Sequence, residues 1–73
     1  MRESKFRELM AEEFGAGYAL TVISSHSITA LRGTAEQLLA DGVPPRTIWE
    51  AICVDFEIPE ERRLGRDLPA KRT

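Results

Sequence analysis

The sequence predicts an all-α fold, a small bundle of four to five short helices around one core. Three observations predict it. Apolar residues recur at helical spacing in most segments. Glycine and proline punctuate the chain into segments that suit short helices. No segment alternates apolar and polar residues with period two, so no strand is expected.

The first helix follows from Phe6, Leu9, Met10 and Phe14, which fall on one face, with Gly15 as its stop. A second begins near Ala16. Ala19, Val22, Ile23, Ala30 and Leu31 share a face if it runs on to Leu31, but "SSHS" weakens it, because serine hydroxyls compete for backbone hydrogen bonds. A kink or break near Ser25 is expected. Arg32-Gly33 connects to a short third helix with Thr34 as N-cap and Gln37 completing a capping box; Leu38 and Leu39 point inward and Gly42 ends it. Val43-Pro44-Pro45 leads into the fourth helix, where Ile48, Trp49, Ile52, Cys53 and Phe56 form the clearest stripe in the chain. Pro59 opens a last short helix with Glu60 and Glu61 at its positive end. A single helical domain is expected over residues 1–66, with residues 67–73 as a disordered basic tail.

The 73 residues suit one small domain, which buries only about 60% of its unfolded surface. The single cysteine, Cys53, allows no internal disulfide, which points to a reducing, cytoplasmic setting. The charged start, MRESKFRELMAEEF, lacks the apolar run of a signal peptide, and "YALTVI" is too short to span a membrane. A net charge of -2 is not that of a general nucleic-acid binder. The charge is uneven: residues 1–59 carry five basic and nine acidic side chains, whereas residues 60–73 carry five basic and three acidic.

Candidate chemistry is sparse. Cys53 lies inside the core stripe, where a thiol away from positive charge is inert, and His26 falls on the apolar face of a continuous helix. One His and one Cys do not make a metal site, and no cofactor is expected. Glu12-Glu13, Asp55 with Glu57, and Glu60-Glu61 read as surface charge rather than acid/base pairs, and the glycines match no phosphate-binding loop. "DGVPPRTIWEAICVDFEIPEERR" reads as helix, break, helix. A base-reading helix-turn-helix is disfavoured, since its second helix would present Glu60 and Glu61 to phosphates and its turn lacks glycine. The expected role is therefore non-catalytic: a protein-interaction or regulatory module. Its partner surface is placed on Arg62, Arg63, Arg66, Lys71 and Arg72, together with Val54; Ile28, off its helix face as Val54 is off the stripe, is a candidate for a shared partner-binding patch with Val54. The alternative is a nucleic-acid accessory protein that contacts phosphates through the same basic residues.

Phe14, Gly15, Tyr18, Ala19, His26, Thr34, Gly42, Val43, Trp49, Cys53, Phe56 and Pro59 carry a resemblance. With "MRESKFRELMAEEFGAGYA" and "LRGTAEQLLADGVPPRTIWEAICVDFEIPEERR", the chain over residues 1–63 resembles a small actinobacterial family of unknown function. The resemblance implies a helical cytoplasmic protein, and the frequent placement of such genes near a recombinase and its regulator implies a link to DNA repair. Ser25 departs from the pattern: it stands where the family carries an acidic partner of the histidine, which puts an Asp-oriented imidazole in doubt here.

Overall fold

A computed structural model of the chain describes residues 1–63. Four α-helices follow in order: α1 (Glu3–Phe14), α2 (Ala16–Ser25), α3 (Ala35–Ala40) and α4 (Pro45–Asp55). Gly15, with φ 84°, separates α1 from α2 in a conformation that disfavours other residues. The capping box forms on α3: the Gln37 N–H donates to Thr34 Oγ1 at 3.2 Å, and the Thr34 N–H to Gln37 Oε1 at 3.4 Å. Pro45 occupies the first turn of α4, where its missing N–H costs no helical bond. The turn after Pro59 is a single 3-10 turn, Glu60–Arg62.

The all-α expectation needs one correction. The fold is mostly helical but includes a minimal antiparallel pair, β1 (Ser27–Ile28) with β2 (Gly33–Thr34), in the register Ser27 to Thr34 and Ile28 to Gly33. Its strands are too short to show alternation, so no pattern reveals them. They form because α2 stops at Ser25. The Ser24 hydroxyl donates to the Leu20 carbonyl at 2.9 Å, and the chain turns extended at His26, with ψ 117°. A tight loop returns it: the N–H groups of Leu31 and Arg32 both donate to the Ile28 carbonyl, and Arg32 takes φ 58°. Ala30 and Leu31 thus lie in a turn, not on a helix face.

Helix α1 packs on α2 and α4, α2 on α3 and β2, and α4 on α3 and β1. The core comprises Phe6, Leu9, Met10, Ala19, Val22, Ile23, Ile28, Ala35, Ile48, Trp49, Ile52, Cys53 and Ile58. Phe14, Leu38, Leu39 and Phe56, expected inside, are partly buried and pack on its rim. Ile28, expected as part of a partner surface, is completely buried: once the helix ends at Ser25, β1 turns this side chain inward. Each such large apolar side chain stabilises the fold by roughly 1.5–3 kcal/mol relative to exposure.

The ends of α3 and α4 are built alike. After α3, Gly42 takes φ 89°, and the Val43 N–H reaches back to the Leu38 carbonyl at 2.9 Å. After α4, Glu57 takes φ 54°, and the Ile58 N–H reaches the Cys53 carbonyl at 2.9 Å, with Ile58 buried. This is the left-handed helix stop, which normally selects glycine.

Candidate functional site

The break after α2 and the end of α4 meet. His26, at the C-terminus of α2, lies 2.9 Å through Nε2 from Oδ2 of Asp55, the last residue of α4. An ionised carboxylate only accepts, so Nε2 carries the hydrogen of this bond. The same oxygen accepts the backbone N–H of Thr29 at 2.9 Å. The Asp55 side chain is only 11% exposed and that of His26 32%. A carboxylate at a helix C-terminus faces the negative end of the helix dipole. The Thr29 N–H, and then His26, offset this and hold the Asp55 carboxyl below the usual carboxylate range. Asp55 was expected to be surface charge with Glu57; it is instead tied into the structure by two bonds. It also supplies the acidic partner that Ser25 lacks, from 29 residues further along the chain. No spacing rule connects those positions.

A row of rings extends from this pair. His26 packs on Phe56 with centroids 4.8 Å apart, Phe56 on Phe14 at 4.9 Å and Phe14 on Tyr18 at 5.8 Å. The last two contacts are edge-to-face, the arrangement that aromatic quadrupoles favour. Phe14 ends α1 and Tyr18 lies in the first turn of α2, so the sharp turn at Gly15 sets these two rings side by side. Phe56, directly after α4, brings the row to Asp55. Its outer end is open, with Tyr18 55% exposed. Met1, Leu20 and Val54 are also exposed among the described residues, but Tyr18 alone of the four continues into other rings.

The basic residues singled out in the sequence are arranged otherwise. Arg62 Nη2 lies 3.0 Å from Glu13 Oε2, an ion pair joining the 3-10 turn to α1. Arg63 is partly buried: its Nε–H donates to the Ile58 carbonyl at 3.1 Å, and its own carbonyl accepts the Trp49 indole N–H at 2.8 Å. A shallow groove beside this turn is lined by Met1, Arg46, Trp49, Glu50, Glu60 and Arg63. Val54, 65% exposed, stands on the solvent side of α4. Arg66, Lys71, Arg72 and the expected tail, residues 67–73, lie outside the described residues. Cys53 is buried, and desolvation pushes its thiol up to about 11, which disfavours the nucleophilic thiolate. Among the described residues, no three His, Cys, Asp or Glu side chains group as metal ligands, and no helix is long and apolar enough to cross a membrane.

No curated protein and no solved structure matches the chain. A family model described as "Protein of unknown function (DUF3046)" matches residues 1–61, most of the sequence and nearly all of the described fold. The chain therefore belongs to the DUF3046 family of proteins of unknown function.

Proposed function

We propose that this protein is a non-catalytic helical module that docks on another protein through the Tyr18–Phe14–Phe56–His26 row. The carrying observation is the row itself: four rings in sequence from three separate parts of the chain, with the outermost more than half exposed. Aromatic rings are enriched at protein interfaces because they contribute large contact area at little entropic cost. The arginines favoured by the sequence are a weaker basis, since Arg62 already holds Glu13 and Arg63 is turned inward. The buried, unpaired Cys53 supports a cytoplasmic setting. The resemblance in sequence pattern suggests that the process served is DNA repair.

Capture from nuclease-treated lysate tests this reading. The wild-type protein is expected to retain a stoichiometric partner that Tyr18→Ala loses and Arg62→Glu keeps. Retention by Tyr18→Ala, with loss in Arg62→Glu, would return the surface to the basic residues. A phosphate-contacting accessory role is the second reading, favoured by the basic balance of residues 60–73. It requires retention on DNA that weakens steeply with salt and little with sequence.

A further inference from the structure

We infer that the segment docking on the aromatic row presents a basic side chain, arginine or lysine. This deepens the docking reading above and rests on it. Three observations carry it.

The first is the ring chemistry. Tyr18 is 55% exposed at the open end of the row, and a cation within about 6 Å of an aromatic centroid is attracted to the negative ring face. The second is Glu57, which follows Phe56 directly and is exposed. It occupies the left-handed stop of α4 at φ 54°, the position that glycine fills after α3 at φ 89°. A Cβ makes this conformation unfavourable, and strained residues cluster where a side chain has a task. A strained, exposed acidic residue next to Phe56 in the chain supplies the countercharge for a cation. The third is the charge of the domain. The described residues carry seven basic and eleven acidic side chains. Glu13, next to Phe14 in the chain, already binds one guanidinium, that of Arg62, at 3.0 Å. An acidic segment or a phosphate backbone would meet a domain whose described residues carry more acidic than basic side chains.

The test titrates the full-length protein with a capped Gly-Arg-Gly-Arg-Gly peptide and with its Gly-Glu-Gly-Glu-Gly counterpart, read by two-dimensional amide and aromatic NMR. The arginine peptide is expected to shift Tyr18, His26 and residues 55–57, and the glutamate peptide to leave them unmoved. Tyr18→Leu and Glu57→Gln should each raise the peptide Kd about two- to fivefold, the range set by an exposed cation–π contact or ion pair. Both positions are exposed, so spectra unchanged away from the row will show that the variants fold. Lack of shifts in the row, equal shifts with the glutamate peptide, or a Kd unchanged in either variant would overturn the inference. If Tyr18→Ala loses a captured partner while the arginine peptide has no effect, the basic-partner inference fails and the docking reading stands. If the peptide binds as expected while Tyr18→Ala keeps its partner, the docking reading fails instead.

Discussion

The two ends of α4 are held by opposite means. Through Cys53, the side chains of Ile48, Trp49, Ile52 and Cys53 are buried among apolar neighbours, and the Trp49 indole reaches the Arg63 carbonyl. At its last residue, Asp55 is held by polar bonds to His26 and Thr29, and the rings beside it remain partly open. As far as Cys53 the helix is stabilised by area removed from water; its last residue is positioned by direction-dependent bonds that a single atom change can remove. The end whose geometry depends on such bonds is also the end that presents a surface.

Substitutions should separate the two means. Trp49→Ala is expected to cost the most, about 3–5 kcal/mol in equilibrium denaturation, because it opens a cavity and orphans the Arg63 carbonyl. So large a loss can unfold a domain of this size outright. Asp55→Ala should cost less, about 1–3 kcal/mol, the range for hydrogen bonds to a mostly buried charged group. The two effects should nearly add, since they act through different partners; strong coupling would show that α4 responds as one unit.

The pH dependence should differ as well. The Asp55 carboxyl lies below its ordinary value of 3.8 in the folded state, so the stability it contributes is present above that value and lost as pH falls through the folded one. The gap between wild type and Asp55→Asn in thermal unfolding is expected to close below about pH 4. Cys53 works in the other direction. Its folded value of about 11 lies above the ordinary 9.0, so the stability of burying the neutral thiol is present below 9.0 and lost as pH rises toward 11. Wild type should therefore lose stability relative to Cys53→Ala across that alkaline window.

The smaller effects sharpen the picture. Glu57→Gly should stabilise by about 1 kcal/mol by relieving the left-handed conformation, partly offset by the greater entropy of unfolded glycine. Arg62→Ala should change stability by less than about 1 kcal/mol, because an exposed ion pair is screened by water and salt.

Most of the helical fold was legible because it rests on local signals. Gly15, the Thr34–Gln37 box, Pro45 and the Ile48-to-Cys53 stripe each act within a turn or two of the chain. The segment from His26 to Thr34 was not, beyond the break at Ser25, because tertiary contacts decide it. Ile28 turns inward to fill the core, and Asp55 binds Thr29 and His26 from 26 and 29 residues away. The site was therefore read only in pieces: His26, Phe14 and Phe56 each received a core role, while their shared row and its acidic anchor follow from packing. Arg62 and Arg63 looked free for the complementary reason, that their partners Glu13 and Ile58 lie outside any local motif or close only in the folded turn.

The account rests on Asp55 holding the break after α2 against α4, and so setting His26 on the ring row. Native-state hydrogen exchange at the Thr29 amide tests this most directly, because that N–H donates to Asp55 from an otherwise exposed residue. The account predicts that Thr29 exchanges slowly in the wild type and near the unprotected rate in Asp55→Ala, while the Ile52 amide stays protected in both. A Thr29 amide that exchanges freely in the wild type would contradict it.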